Sequence, residues 1–265
     1  MEGLQKLLYI MAALRDPGQG CPWDRAQDFE SIAGFTLQEV HELIDAIERG
    51  DMEGLCDELG DLLFHIAFYA HMASEAGYFD FNRIVNQLNQ KLERRHPHVF
   101  GNVSIDNIQT QTRLWETLKR EERQGRAPER NPDHSLLDGI GTAMPGILRA
   151  EKLQERAASI GFDWPDPEPV FNKVEEELNE LRRAVKNDEP GAEIMSELGD
   201  LLFACVNLAR HIHMDAEMAI RKANRKFETR FRYIEQQIAG SGKQIEKSSL
   251  EELDRLWEEA KKREV

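Results

Sequence analysis

The sequence predicts an all-α protein made of two tandem helical modules. Three observations carry that reading. Apolar residues recur at three- and four-residue spacing almost throughout, the period of an amphipathic helix. Val, Ile and Thr do not gather into the alternating runs that mark a half-buried strand. A set of landmarks occurs twice, in the same order.

The periodicity predicts helices over 3–15, 36–49, 52–75, 81–95 and 110–123, then over 146–159, 168–186, 191–212, 216–239 and 248–263. Gly and Pro punctuate the connections in DPGQGCPW, LERRHPHVFGN, RAPERNPD and DWPDPEP. Asp80 and Asp215 stand where an N-cap is needed for the 81–95 and 216–239 helices. The stretch from Gln124 to Asp138 is polar and Pro-bearing, so it reads as a linker. The expected organisation is a module over 1–123, a linker over 124–145 and a second module over 146–265.

The internal repeat is the strongest signal. GDLLF occurs at Gly60–Phe64 and at Gly199–Phe203. Glu39-Val-His-Glu42 is matched by Glu177-Leu-Asn-Glu180, and Trp23 by Trp164. Asp80 corresponds to Asp215, Lys91 and Arg95 to Lys226 and Arg230. RLWETLKRE resembles RLWEEAKKRE, which pairs Trp115 with Trp257. The offset stays between 135 and 142 residues, as a duplicated module requires.

Composition narrows the function. Of 265 residues, 40% are apolar, enough for a core, and the net charge of −15 argues against a nucleic-acid or lipid-surface binder, which needs a basic face. An anionic ligand would then require local cations or a metal ion. No apolar run approaches the roughly 18 residues that span a bilayer, and the amphipathic N-terminus lacks a signal-peptide pattern. Cys21, Cys56 and Cys205 are far apart and form no CxxC, as expected for thiols of a cytoplasmic protein.

The spacing of acids points to a metal site. Residues three apart share a helix face, so Glu39/Glu42 and Glu58/Asp61 are two facing pairs in a helical hairpin. The breaker Gly50-Asp51 lies between them. Glu42 is eight residues before Gly50 and Glu58 eight after it, so both pairs return to one level at about 1.5 Å rise per residue. The second copy repeats this with Glu177/Glu180 and Glu197/Asp200 about the turn Asn187–Gly191. Two unit charges about 4 Å apart cost roughly 4 kcal/mol at an effective dielectric near 20. Such a quartet therefore either takes up protons or binds a hard cation. Oxygen ligands select Mg²⁺, Mn²⁺ or Ca²⁺ over zinc. Gly60 and Gly199 lie inside predicted helices, where Gly costs about 1 kcal/mol relative to Ala. Their repetition predicts close approach by a helix or ligand.

Other readings compete at single residues. Thr36-Leu-Gln-Glu39 has the form of a capping box, which would give Glu39 a structural role. His96 and His98 fit a turn after a helix better than a metal site, and His65 is replaced by Ala204 in the second copy. The tryptophans fit a core, and their recurrence leaves room for base stacking. The chain has no GxxxxGK[ST], which excludes a P-loop ATPase. It also lacks the paired Glu-x-x-His of a di-iron bundle. A non-catalytic nucleotide sensor or helical scaffold is the alternative to an enzyme.

ExxE, a hairpin, ExxD within ELGDLLF and a following Lys/Arg helix resemble the MazG family of nucleoside triphosphate pyrophosphohydrolases, as do GCPWD, LERRHPHVF, IGFDW and NLARH. The resemblance spans the chain and is to the tandem, two-module members. It implies the all-α nucleotide pyrophosphatase fold, with four-helix bundles completed by homodimerisation. It implies Mg²⁺-dependent cleavage of ribo- and deoxyribonucleoside triphosphates between the α- and β-phosphates, with Mn²⁺ as a possible substitute, and a looser link to nucleotide-pool housekeeping or stress. It places the main catalytic site in the second copy. There Glu177, Glu180, Glu197 and Asp200 would hold magnesium, Lys173 and Glu176 would lie beside the nucleotide, Lys226 and Arg230 would contact phosphates, and Trp257 the nucleotide. Similar proteins can carry Lys four residues before the ExxD glutamate, where this chain has Glu193. The first copy keeps its own acids, Glu39, Glu42, Glu58 and Asp61. For catalysis, Glu177 or Glu180 is the candidate to orient or deprotonate the water.

Overall fold

A computed structural model describes residues 3–104, 107, 110–111, 114–115, 117–118, 122 and 135–263. The regular structure among them is helical: α1 (Gly3–Leu14), α2 (Pro22–Ala26), α3 (Phe29–Arg49), α4 (Met52–Glu75), α5 (Phe81–Arg95), α6 (Pro97–Phe100), α7 (Gly146–Ala158), α8 (Glu168–Lys186), α9 (Gly191–His211), α10 (Ala216–Gly240), a 3-10 turn (Ile245–Lys247) and α11 (Leu250–Arg263). No strand occurs among the described residues. The helix expected over 110–123 lies partly outside them, as does the part of the expected linker from 124 to 134. The chain divides into two compact units, Met1–Pro128 and Glu129–Val265.

In the first unit, α3 and α4 form a hairpin, and α1 and α5 pack on α4. Gly50 ends α3 with φ of 69°, a left-handed conformation that costs glycine little. Asp51 then caps α4 by accepting from the Gly54 N–H at 2.9 Å. Met11, Ile32, Ala67, Phe68 and Met72 form the core, flanked by Leu7, Leu8, Leu14, Phe64 and Tyr69. Arg15 binds α1 to its neighbours. Its guanidinium pairs with Glu75 at 2.7 Å, donates to the Asp24 and Gln27 carbonyls, and lies 5.3 Å from the Phe68 ring centroid.

One boundary differs from expectation. Helix α3 starts at Phe29, not at 36. Asp28 accepts from the Ser31 N–H at 2.8 Å, and the Ser31 hydroxyl accepts from the Asp28 N–H at 2.9 Å. That capping box carries the helix through Gly34 and Thr36, two weak helix formers. Thr36 is thus a mid-helix residue whose hydroxyl turns back to the Ile32 carbonyl at 3.1 Å. Glu39 is released from the capping role and faces α4.

In the second unit, α8 and α9 form the hairpin, α7 packs on α9 and α10, and α11 packs on α10. The hairpin turn has Asp188 at φ 54° and Pro190 preceding α9. Asp80 and Asp215 cap α5 and α10, accepting from the Arg83 and Met218 N–H groups at 2.8 and 2.9 Å. Ile234, Ile238 and Leu256 form a core cluster with Ile245, Leu253 and Trp257.

Phe68 is 0% exposed. Phe68→Ala is expected to destabilise the first unit by about 3–5 kcal/mol, and Asp215→Ala the second by about 1 kcal/mol. Urea unfolding monitored by circular dichroism measures both, and a Phe68→Ala loss under about 1 kcal/mol would contradict this core.

Candidate metal and active site

The two hairpins bring their acids together. In the first unit, carboxylate oxygens of Glu39, Glu58 and Asp61 lie within 4.8 Å of one another. Glu42 adds its charge to Glu39 and Glu58 from the next turn of α3, and accepts from Gln38 Nε2 at 2.7 Å. Burial, then the charges of Asp61 and Glu42, pushes the Glu39 carboxyl above its ordinary range. Burial, then Glu42 and Glu39, does the same to Glu58. The Glu39 and Glu58 carboxyl groups thus face each other directly. Glu58 Oε2 is buried with no hydrogen-bond partner among the described residues.

In the second unit, oxygens of Glu177, Glu197 and Asp200 lie within 4.8 Å of one another, as do those of Glu176, Glu177 and Glu180. Glu177 thus belongs to both clusters, and it is buried. Burial raises the Glu197 pKa first, with Glu180, Asp200 and Glu177 adding like charge. Here the repulsion has a built-in counter-charge. Lys173 Nζ reaches Glu177 at 2.7 Å and Glu176 at 2.9 Å. Its hydrogen bonds to Glu176 and then Glu177 hold its ammonium well above the ordinary lysine value. Phe35 occupies the corresponding position in the first unit. Arg183 pairs with Glu180 at 2.9 Å.

Every donor in both clusters is a carboxylate oxygen, and one is buried without a partner. The residues therefore fit a hard divalent cation.

The expected nucleotide contacts fall as follows. The Arg230 guanidinium lies 5.3 Å from the Trp257 ring centroid, in the manner of a cation–π contact. Trp257 also packs on the Ile234–Leu256 cluster, so it is both a core residue and a platform. Lys226 is exposed one turn before Arg230 on α10. Glu193 is exposed in the first turn of α9. In the first unit the matching Arg95 is taken by Glu122, whose two oxygens bind Arg95 and Arg94 at 2.5 and 2.6 Å. The hydrogen bonds from Arg95 are the largest of the effects that pull the Glu122 carboxyl down to about 2. His96 ends α5 with Nδ1 2.7 Å from the Leu92 carbonyl, in a turn as its sequence implies.

The glycine expectation fails within the chain. A Cβ added at Gly60 or Gly199 would meet nothing within 4 Å. The α4 and α9 faces around them are bare, with Leu59, Leu63, Leu198 and Leu202 exposed.

Two polar contacts escaped sequence reasoning. One turn from Asp61, His65 is buried, with Nδ1 2.7 Å from the Thr36 hydroxyl, which also lies 3.0 Å from the Tyr69 hydroxyl. Burial lowers the His65 pKa. In the second unit, Arg210 of NLARH binds Asp163 of IGFDW. Both motifs are visible in the sequence, but nothing in their spacing shows that they meet.

Fold and geometry together define a tandem all-α protein whose paired hairpins each carry a hard-cation-type acidic cluster. The chain belongs to the MazG family: the pattern of the MazG nucleotide pyrophosphohydrolase domain matches residues 27–100 and again 166–234. It is 47% identical to the nucleoside triphosphate pyrophosphohydrolase of Escherichia coli K12, over 100% of this chain and 99% of that one. It is 40% identical to the nucleoside triphosphate pyrophosphohydrolase/pyrophosphatase MazG of Thermotoga maritima, over 97% and 95%. To the nucleoside triphosphate pyrophosphohydrolase of Mycobacterium tuberculosis it is 32% identical, over 61% and 46%. No helix among the described residues is long and apolar enough to cross a membrane.

The raised carboxyls make a pH prediction. A carboxyl whose folded pKa exceeds its unfolded value binds more protons when folded. It therefore costs stability as pH rises from the ordinary 4.5 through the folded value. In chelator, Glu197→Gln is expected to raise the thermal midpoint at pH 7, and that gain should shrink as pH approaches 4.5. Scanning calorimetry at both pH values checks this; a lower midpoint than wild type at pH 7 would contradict it.

Proposed function

We propose that the protein is a magnesium-dependent hydrolase of nucleoside triphosphates, acting on the α–β phosphoanhydride to give a monophosphate and pyrophosphate. The observation that carries the reading is the convergence of Glu177, Glu197 and Asp200 within 4.8 Å, with Glu180 and Lys173 beside them. Family membership and the names of the full-length relatives support the same chemistry. We place the main site in the second unit, and extend the substrate range to ribo- and deoxyribonucleotides.

Glu177, Glu180, Glu197 and Asp200 would hold Mg²⁺, with Mn²⁺ as a substitute. When bound, the ion neutralises phosphate oxygens and stabilises charge on the departing pyrophosphate. The chain supplies the rest. Lys173 pairs with Glu177 and holds it in place, and Glu177 or Glu180 accepts the proton of the attacking water at a carboxylate oxygen. Lys226 and Arg230 give the phosphates positive partners, with Trp257 fixing the arginine plane. Glu193 leaves the first turn of α9 without the lysine found in similar proteins, so phosphate binding rests more heavily on α10. The exposed α4 and α9 faces support a homodimer in which a second copy covers them. Such apolar surface is what an interface buries. The first unit's retained acids bind the same cation, and its Arg95, held by Glu122, makes it the weaker site.

Glu180→Gln combined with Glu197→Gln is expected to lower turnover at least about a hundredfold while leaving helical content unchanged. Activity surviving in this variant would move the main site to the first unit. Chromatography of products from a triphosphate and Mg²⁺ should show monophosphate and pyrophosphate. Diphosphate and phosphate would overturn the bond assignment. Saturating Mg²⁺ without nucleotide should raise the thermal midpoint, since it binds the folded site alone.

A further inference from the structure

We propose that a cavity beside α9 in the second unit is a nucleobase subsite, and that Gln154 reads the edge of the base. This rests on the hydrolase reading above and extends it to the nucleoside half of the substrate. The cavity has a volume of about 580 Å³ and apolar walls that include Leu153, Ala157, Phe162, Trp164 and Phe203. That is ample for a heterocycle and its sugar. Two of its aromatic walls, Phe162 and Trp164, are 80% and 41% exposed, an unusual display for side chains that otherwise favour burial.

Its polar groups select an uncharged ligand. Arg210 reaches the cavity, but both Asp163 oxygens bind it, at 2.5 and 2.9 Å. Its charge is thereby matched, which disfavours a phosphate there. Arg210 Nη2 also donates to Asn207 Oδ1 at 2.7 Å, which orients that amide and leaves its Nδ2 to donate elsewhere. Gln154 is 7% exposed and donates through Nε2 to the Phe203 carbonyl at 2.8 Å. The orientation of its amide is therefore fixed. Gln154 is among the residues that line the cavity, and its Oε1 is buried with no hydrogen-bond partner among the described residues. A buried acceptor left unpaired is costly. An acceptor and a donor at the end of an apolar slot match the edge of a nucleobase, where ring and exocyclic groups offer a donor beside an acceptor. Every common base has such an edge, so the subsite tolerates several bases.

Position agrees. Phe203 and Asn207 follow Asp200 by three and seven residues, on one face of α9. At 1.5 Å per residue they stand about 4.5 and 10 Å beyond the acids along the axis, the reach of a ribose with its base. The fold does not require the cavity. In the first unit the Asn207 position is Phe68, 0% exposed in the core and packed with Met11 and Phe64. The same module is packed solid where the second unit is hollow.

The test uses the full chain with Mg²⁺. It compares ATP with purine riboside triphosphate, which lacks the exocyclic amine, and uses inorganic tripolyphosphate as a base-free inhibitor. Wild type should favour ATP in kcat/KM by about tenfold, and Gln154→Leu should bring the ratio near one. Trp164→Ala, at an exposed position with little risk to folding, should raise KM for every nucleoside triphosphate several-fold and leave tripolyphosphate inhibition unchanged. A ratio blind to Gln154, or nucleotide KM values blind to Trp164, overturns the subsite while hydrolysis stands. If wild type hydrolyses no triphosphate, the hydrolase reading falls instead. The subsite is then judged by calorimetry of adenosine against purine riboside on wild type and Gln154→Leu, where equal affinities overturn it.

Discussion

Repulsion among carboxylates held at one level of a helical hairpin is the constraint on which the rest of the molecule depends. Left in water, such acids would separate. The hairpins do not allow it, because Gly50 and Asp51 fix the first turn and the Asn187–Gly191 segment the second. The capping bonds and buried core anchor helices whose facing acids push against them. Burial first, and the charges of the neighbouring acids after it, raise the carboxyls of Glu39, Glu58 and Glu197. A site in this condition gains most from a divalent cation, since one ion relieves several unfavourable pairs at once.

The two copies answer this constraint differently. The first has Phe35 where a cation would help. The second places Lys173 against Glu177 and Glu176. The difference continues along the helices. Arg95 is tied to Glu122, whereas Arg230 lies over Trp257. Phe68 fills the space that Asn207 leaves open. The first unit thus buries Phe68 in its core, where the second has Asn207 at a cavity. Duplication permits this, because one copy retains the geometry while the other changes.

Much of this architecture is written in local patterns. The 52–75 and 81–95 helices are legible to the residue, since Asp51 and Asp80 cap them and nothing in their interiors competes. The acid clusters are legible because helix spacing and distance from the turn are one-dimensional quantities. The start of α3 is not, since Gly34 and Thr36 look like a helix boundary and Asp28 with Ser31 must outweigh them. Gln154, Asp163 and Arg210 escape for another reason. Their meeting depends on how α7 packs against α9, and sequence spacing does not encode the packing of helices distant along the chain. Arg15 is of the same kind, because its four partners lie on two sides of the fold.

Gly60 and Gly199 complete the picture through what surrounds them. Each sits between an acid of the cluster and the next, inside a long helix. The cost of glycine in a helix interior is about 1 kcal/mol, and it recurs in both copies. Nothing inside either unit approaches them, while the neighbouring leucines are bare. A residue without a side chain, set in an exposed apolar face, permits another helix to come close at the height of the acids. The homodimer proposed for this protein would close that gap. It would also bring low-dielectric surface against the carboxylates, which strengthens both their repulsion and their hold on a cation. Association and metal binding would then reinforce each other through the same few turns of α4 and α9.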